Sequence, residues 1–221
     1  MPFNRFRIPA SLFANLDPSR ELVLVDVGAF IGEFTATLAQ RYRISRGVLI
    51  EALPRRADQL KATFRPPTFE VFGCVVSNRP GPVEFEVNEV EGTSSILPML
   101  RDLPELAGTP MTCPTLARVQ YDATTLDEIA SQAKLDRVDL IKIDVQGAEQ
   151  LVLEGSTSLL ARTSLIWSEV SFQPLYQDSC TLQSLQAWLR SQQFEMIALE
   201  PGFRSAHGEL LQADALFARR S

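Results

Sequence analysis

The sequence predicts an α/β fold built on one mainly parallel, seven-stranded sheet, with an antiparallel hairpin at one edge and helices on both faces. Short and almost wholly apolar runs such as 23–27 and 138–143 recur along the chain, as expected of strands buried on both faces. These runs alternate with helical spacing, which favours parallel strands joined by crossover helices. Runs 194–199 and 213–218 have only a glycine-containing loop between them, which indicates the hairpin.

The length and the proline positions indicate how the chain is divided. A chain of 221 residues suits a single domain. Residues 1–20, with three prolines among scattered apolar residues, are expected to form an N-terminal arm lying on a domain formed by 21–221. Residues 88–115 are broken by four prolines, and we expect a lid-like insert there, with a plain surface excursion as the alternative.

Charge and cysteine content exclude several classes of partner and site. A net charge of −6 argues against a nucleic-acid partner, since such binding needs a basic face. Three scattered cysteines and a single histidine make no zinc cluster and favour reduced thiols in a cytoplasmic protein. No apolar run reaches the ~20 residues of a membrane span, and no signal peptide is expected. The oligomeric state stays open, with a homodimer as one possibility.

The first half of the chain begins with a strand, a turn and a helix. Strand 23–27 runs into a turn with two glycines, and a helix follows whose apolar stripe steps by three, four and four residues. A second strand, 47–52, is followed by a helix that Pro54 starts. We expect a central strand over 69–76 and then an antiparallel, half-exposed strand over 83–87.

The second half repeats the same pattern. A short strand at 119–121 precedes a helix capped by Thr125. Strand 138–143 is followed by an acid and by a glycine that opens a helix, and strand 165–170 comes next. A final amphipathic helix, marked by Leu182, Leu185, Trp188 and Leu189, precedes the two hairpin strands.

The first turn indicates which cofactor the fold binds. Asp26 precedes a Gly28-x-x-x-Gly32 run that lacks the middle glycine of a nicotinamide-binding turn, and no P-loop lysine motif occurs. An acid here would repel a pyrophosphate but attract the positive ends of S-adenosylmethionine. Glu51 ends the second strand, where a carboxylate can accept both hydroxyls of a ribose. The turn therefore favours a methyltransferase, with a nicotinamide-dependent oxidoreductase as the weaker alternative.

Five blocks of the sequence resemble the FkbM-type methyltransferases in order and spacing. The block Ile141–Glu149 is the most specific of them, and the full set is 26–35, 125–127, 141–149, 169–176 and 214–217. The resemblance implies a Rossmann-like class I methyltransferase fold and O-methylation, by S-adenosylmethionine, of a hydroxyl on a sugar, glycan or polyketide-type natural product. The product would be S-adenosylhomocysteine. A non-catalytic relative that only binds the cofactor is the other alternative. Phe30 departs from the family, which often has Asn there.

The candidate cofactor ligands follow the turn, the second strand and the loops beyond them. Ser77 and Asn78 could border the adenine, and Ser95, with its neighbour Ser94, could cover the cofactor. The full candidate set is Asp26, Gly28, Ala29, Phe30, Gly32, Glu51, Ala52, Ser77, Asn78, Ser95 and Asp144.

Three acids are the candidate catalytic residues: Asp144, Glu169 and Glu149. Asp144 ends the strand expected beside the first one, so it could take the proton of the attacking hydroxyl late in methyl transfer. Glu169 follows on the neighbouring strand, and the pair could hold Mg²⁺, although we expect no metal site. Glu149 could reach back to the site or only favour its helix N-terminus. Lys142, in an apolar strand, is expected to pair with an acid, and Gln146 could hydrogen-bond the substrate.

Overall fold

The computed structural model describes residues 8–220, apart from the side chain of Pro110, so residues 1–7 of the expected N-terminal arm lie outside the described part. The α-helices are α1 (Ala10–Ala14), α2 (Glu33–Ala39), α3 (Pro54–Thr63), α4 (Leu126–Gln132), α5 (Glu149–Glu154), α6 (Thr157–Leu160) and α7 (Leu182–Ser191). The strands are β1 (Leu22–Val27), β2 (Ile44–Ile50), β3 (Phe69–Phe72), β4 (Gly81–Asn88), β5 (Thr115–Ala123), β6 (Val138–Ile143), β7 (Thr163–Ser171), β8 (Phe194–Pro201) and β9 (Gln212–Arg219).

Seven strands form the main sheet, in the order β3-β2-β1-β6-β7-β9-β8. The pairs from β3 to β7 are parallel, whereas β9 runs antiparallel to both β7 and β8. The predicted fold class and the antiparallel hairpin are confirmed. The carboxyl ends of β1, β2, β6 and β7 therefore meet at one edge of the sheet, where ligands bind in such folds.

Two expectations about the strands were wrong. The third strand covers only Phe69–Phe72 and lies at the edge of the sheet, since it pairs with β2 alone and its residues are all half-buried. β4 and β5 pair only with each other, as a separate two-stranded antiparallel sheet, and β5 is nine residues long where a short strand was expected. A period of two shows that one face of a strand is covered, but it does not show which sheet covers it.

Each face of the main sheet packs against its own set of helices. Helices α1, α2 and α3 cover one face, with Leu12, Leu38 and Leu60 fully buried there. Helices α4 to α7 cover the other face and form the larger core, which includes Leu126 and Leu189. Water is therefore excluded from both faces of the central strands, such as β1 and β6, which explains their apolar sequences.

The segment between β4 and β5 packs as a unit beside the sheet edge. Its short 3₁₀ turns pack around a small core with the loop that follows β7, and this core consists of Met99, Leu106, Met111, Leu175, Tyr176 and Leu211. The Arg101 guanidinium donates to the Cys113 carbonyl at 2.9 Å and to Asn88 Oδ1 at 2.9 Å. The two ends of this segment are thereby held together.

None of the helices within residues 8–220 is both long and apolar enough to cross a bilayer.

Candidate functional site

A cleft opens where the carboxyl ends of β1, β2 and β6 meet. It holds about 770 Å³, counted out to the open solvent at its mouth. Four segments line it: the turn after β1, the residues that follow β2, the insert near Ser94, and the block from Asp144 to Ala148. Val75, Val76 and Phe85 add an apolar wall. A concave, mostly apolar cleft with a few polar groups is typical of a small-molecule site.

The turn after β1 depends on two glycines. Gly28 has φ 71°, and a Cβ there would lie 1.8 Å from the Asp144 carbonyl oxygen. Gly32 has φ 81°, and a Cβ would lie 2.3 Å from the Phe64 ring. The N–H groups of Gly28 and Ala29 both donate to the Ile50 carbonyl at 3.0 Å. The missing Cβ atoms thus let the turn pack closely against the Asp144 carbonyl and the Phe64 ring. Gly28 lines the cleft, whereas the predicted ligands Ala29 and Gly32 do not.

Asp26 lies beneath the turn and is not among the residues that line the cleft. Its Oδ2 accepts from Thr35 Oγ1 at 2.6 Å, and its Oδ1 lies 3.4 Å from Lys142 Nζ. Lys142 Nζ also donates to the Gly28 carbonyl at 2.7 Å. Burial alone would lower the pKa of Lys142, but Asp26 and Asp144 raise it beyond that loss. The expected pairing of Lys142 with an acid is confirmed, and this pairing holds the turn in place.

Glu51 and Ala52 line the cleft beside the turn. Glu51 Oε2 accepts from the Phe30 N–H and Oε1 from the Leu53 N–H, each at 2.8 Å. Burial raises the pKa of Glu51, and these two hydrogen bonds oppose that rise. Each oxygen keeps a second lone pair, so the carboxylate can still accept hydroxyl donors from a ligand.

Phe30 has a backbone conformation that is unusual for its residue type. Its φ is 50°, in the left-handed region that Asn adopts more readily, which accounts for the asparagine often found here in the family that the sequence resembles. Its ring lies 4.6 Å from the Arg56 guanidinium carbon, and Arg56 forms an ion pair with Glu91 of the insert. Phe30 and Glu91 both line the cleft. The Arg56–Glu91 pair therefore joins α3 to the insert at the cleft.

The predicted adenine-bordering and covering residues lie at different distances from the cleft. Ser77 is buried where its carbonyl meets Gly155, and Asn78 Nδ2 donates to Glu154 at 3.2 Å. Neither Ser77 nor Asn78 lines the cleft, whereas Ser94 does. Ser95 is buried behind it, and its hydroxyl donates to the Val145 carbonyl at 3.3 Å.

Asp144 and Glu169 converge on the side chain of Gln146. Gln146 Nε2 donates to Asp144 Oδ1 at 2.8 Å and to Glu169 Oε2 at 3.2 Å. The Asp144 side chain is 40 % exposed and lines the cleft, and its Oδ2 lies 3.7 Å from Lys142 Nζ. Among residues 8–220, no group of three or more His, Cys, Asp or Glu side chains is arranged to hold a metal ion. The structure thus places an amide, held by both acids, where a shared Mg²⁺ was considered.

Burial perturbs the other acids near Asp144. It raises the pKa of Glu149 to about 7, against hydrogen bonds that Glu149 Oε1 accepts from the N–H groups of Val145 at 3.0 Å and Gly147 at 3.2 Å. Burial, with added repulsion from Asp144, raises the pKa of Glu169 well above its ordinary value and that of Asp214 to about 6. Glu149 therefore holds the turn before α5 and does not line the cleft.

Three residues of this network were not identified from the sequence as site residues. Tyr176 Oη lies 3.0 Å from Gln146 Oε1, and Gln212 Nε2 donates to Glu169 Oε2 at 2.7 Å. Asp214 faces Glu169 across the β7–β9 ladder. Tyr176 and Asp214 do belong to the blocks that carry the family resemblance, which was the available signal. Gln212 had none.

The cleft fits S-adenosylmethionine by the chemistry of its donors and acceptors. Gly28 packs against the Asp144 carbonyl, and both residues line the cleft. Glu51 presents a buried carboxylate to the cleft, and Asp144 presents an exposed one. These residues would hold the cofactor and face the methyl acceptor.

Known proteins resemble this chain in sequence and in fold. The 2-O-methyltransferase NoeI of Sinorhizobium fredii is 28% identical over 209 residues, which cover 91% of this chain and 81% of NoeI. The crystal structure of a methyltransferase FkbM from Methylobacillus flagellatus superposes with a TM-score of 0.55 at 17% identity; the match covers 90% of this chain but only 43% of that one. An S-adenosylmethionine-dependent methyltransferase from Mesorhizobium loti gives 0.54 at 9% identity, covering 95% of this chain and 96% of that one. At such identities the two structures show the fold alone.

A family model described as the methyltransferase FkbM domain matches residues 26–197, which is most of the chain. The predicted family resemblance and the expectation of an S-adenosylmethionine-dependent methyltransferase are confirmed, and the oxidoreductase alternative is set aside. The chain belongs to the FkbM methyltransferase family.

Proposed function

We propose that this protein transfers the methyl group of S-adenosylmethionine to a hydroxyl of a sugar, a glycan or a polyketide-type natural product. The observation that carries the proposal is the exposed carboxylate of Asp144 in the same cleft as Glu51 and the Gly28 turn. A cofactor-binding half and a proton-accepting group thus share one cavity. The similarity to NoeI, a 2-O-methyltransferase, supports oxygen as the atom that is methylated.

The residues after β1 and β2 bind and orient the cofactor. Glu51 accepts the ribose hydroxyls, and the backbone of the turn at Gly28 faces the amino acid end. Lys142 neutralises Asp26 beneath the turn, which leaves Asp144 as the acid of this block that faces the cleft. S-adenosylmethionine supplies an electrophilic methyl group on a positively charged sulfur.

Asp144 is the proposed proton acceptor. A hydroxyl becomes acidic only as its oxygen bonds to the methyl carbon and the carbon–sulfur bond breaks, so a nearby carboxylate takes its proton late. Gln146 occupies one lone pair of Asp144 Oδ1, and Lys142 Nζ lies 3.7 Å from Oδ2, so each oxygen keeps a lone pair that can accept. The proton ends on Asp144 and passes to solvent, since this side chain is exposed.

The acceptor and the insert complete the proposal. We infer a small-molecule or glycan acceptor and no nucleic acid, because the net charge is −6. Residues 88–115 are proposed as a lid-like insert, supported by Glu91, Gly92 and Ser94, which line the cleft. Residues 1–20 are proposed as an arm, supported by the packing of α1 on the sheet.

Three measurements test this function. Calorimetric titration with S-adenosylhomocysteine should show saturable binding, and binding of NADH in its place would refute the proposal. Transfer of label from methyl-labelled S-adenosylmethionine to a panel of methyl glycosides and macrolide aglycones should yield alkali-stable methyl ethers. Cofactor binding with no transfer to any acceptor class would favour the non-catalytic relative.

Asp144→Asn should lower turnover at least 100-fold with cofactor affinity nearly intact, and unchanged turnover would remove Asp144 from the mechanism.

A further inference from the structure

The side chain of Gln146 lies between the proposed proton acceptor and a buried tyrosine. Its Nε2 donates to Asp144 at 2.8 Å and to Glu169 at 3.2 Å, while its Oε1 lies 3.0 Å from Tyr176 Oη. We propose that Tyr176 and Gln146 are positioning residues: the Tyr176 hydroxyl fixes the orientation of the Gln146 amide, and this amide holds the Asp144 carboxylate for methyl transfer. The inference rests on the proposed role of Asp144.

The chemistry of the donors and acceptors allows one orientation of the amide. An ionised carboxylate only accepts hydrogen bonds, so the NH₂ group of Gln146 must face Asp144. Its carbonyl oxygen then points to Tyr176 and needs a donor; the tyrosine hydroxyl has one proton, which lies within reach of both Gln146 Oε1 at 3.0 Å and the Thr93 carbonyl at 2.9 Å. The reverse orientation would place two oxygens 2.8 Å apart with no proton between them. Asp144 thus sets the orientation of the amide, and the Tyr176 proton, shared with Thr93, stabilises that orientation.

Tyr176 is itself held in place. Its side chain is 1 % exposed, and its ring packs on Gly147, where a Cβ would lie 2.9 Å from the ring. Its backbone forms a bridge with Met99 of the insert. The hydroxyl also lies 2.9 Å from the Thr93 carbonyl, next to the cleft-lining Ser94. One hydroxyl thus contacts both the insert and the amide that holds Asp144.

The backbone at Gln146 supports a functional explanation. Its φ is 58°, in the left-handed region, which is unfavourable for a residue with a Cβ. Asparagine or glycine would adopt this conformation more readily, but neither would reach both acids and Tyr176. Such strain persists where the surroundings impose it, and it clusters at functional sites.

Several charged groups face Asp144 and would share any change in its environment. Lys142 comes from β6, Glu149 from the start of α5, Glu169 from β7 and Asp214 from β9. A test must therefore separate Asp144 from its neighbours by assignment of individual carboxyl signals.

Carboxyl-detected ¹³C NMR titration of the full chain provides that test, with the Asp144 signal assigned through Asp144→Asn. Loss of an N–H donor to a charged carboxylate should move the Asp144 midpoint upward by about one pH unit in Tyr176→Phe and in Gln146→Met. The double variant should shift no further than Gln146→Met alone, because both changes remove one arrangement. Tyr42→Phe is the matched control, since it deletes another buried tyrosine hydroxyl, on the opposite face of the sheet.

The outcomes separate this inference from the proposed function. An Asp144 midpoint in Tyr176→Phe that matches Tyr42→Phe would overturn the inference, as would additive shifts in the double variant. Because the titration needs no acceptor, it gives a result even if no glycoside is methylated. With an acceptor in hand, the acid limb of the rate profile should move upward by the same amount in Tyr176→Phe, while the KM for S-adenosylmethionine changes less than kcat.

Discussion

The two halves of the cleft are built from different materials. The half proposed to bind the cofactor, residues 26–32 and 50–53, is called the cofactor half and is shaped mainly by backbone. It has left-handed glycines at Gly28 and Gly32, the paired N–H groups of Gly28 and Ala29, and the Glu51 carboxylate, which accepts from two N–H groups of the chain. The acceptor half, around Asp144 and Gln146, consists of side chains from three strands and a distant loop.

This difference bears on how each half can change. Backbone geometry tolerates few substitutions, because a single Cβ at Gly28 would meet the chain at 1.8 Å. A side-chain network can be exchanged residue by residue while the turn stays intact.

The largest expected effect on stability comes from a substitution in the cofactor half. Gly28→Ala should lower the free energy of unfolding by roughly 3 to 5 kcal/mol, the sum of a left-handed penalty and an overpacked contact. Urea denaturation measures it. Gly208→Ala is the control, since Gly208 also has positive φ but open space around it, so only the left-handed penalty of roughly 1–2 kcal/mol applies. Equal losses would mean that packing at Gly28 is unimportant.

The next effect concerns the acceptor half, whose buried acids should make the free energy of unfolding depend on pH. Burial raises the pKa of Glu149 from 4.5 to about 7, so the folded state binds more protons than the unfolded state in that window. Stability should therefore fall as pH rises from 4.5 to 7, by about 3 kcal/mol from this residue. Glu149→Gln should flatten the curve of unfolding free energy against pH, leaving the contributions of Glu169 and Asp214. The exposed Glu84→Gln should leave the slope unchanged, and an equal slope in Glu149→Gln would contradict the assignment.

A smaller effect tests the carboxylate of Glu51 in the cofactor half. Glu51→Gln replaces an oxygen by NH₂, so the N–H of either Phe30 or Leu53 loses its acceptor, and the ribose loses a charged one. Affinity for S-adenosylhomocysteine should fall about 30-fold by calorimetry. Asp144→Asn is the comparison from the other half and should bind the ligand nearly as wild type. A reversed order of the two affinities would exchange the roles of the halves.

The smallest effect concerns the ion pair at the cleft. Arg56→Met removes the pair with Glu91 and the contact with Phe30, and it should weaken S-adenosylhomocysteine binding by about fivefold or less, since partly exposed pairs contribute at most about 1 kcal/mol. The salt dependence of binding should decrease with it. Arg43→Met, which breaks the exposed pair with Glu21, serves as the control. A loss as large as that of Glu51→Gln would place Arg56 among the cofactor ligands.

Local patterns predicted the cofactor half well. Strand, glycine turn and helix follow from residues close in sequence, and the glycine spacing located the turn at the mouth of the cleft, where Gly28 and Phe30 line it. The placement of 69–76 at the sheet edge and the separate β4–β5 sheet were not predictable, because pairing partners depend on distant strands.

The sequence predicted the acids of the acceptor half, but not the hydrogen bonds that join them through Gln146. Asp144 and Glu169 end neighbouring parallel strands, so their convergence followed from the fold. The amide between them depends on a left-handed backbone at Gln146 and on a tyrosine 30 residues away. Neither a turn pattern nor a charge pattern reports such a contact.

The position of β9 between β7 and β8 sets an order of assembly during synthesis. Everything that forms the cofactor half has left the ribosome once β6 and the block after it are made. Glu169 receives its Gln212 partner, and Asp214 its place opposite Glu169, only when residues 212–219 insert beside β7. A nascent chain therefore contains Asp144, Gln146 and the residues proposed to hold the methyl donor before residues 212–219 complete the surroundings of Glu169, and such non-local pairing slows sheet formation.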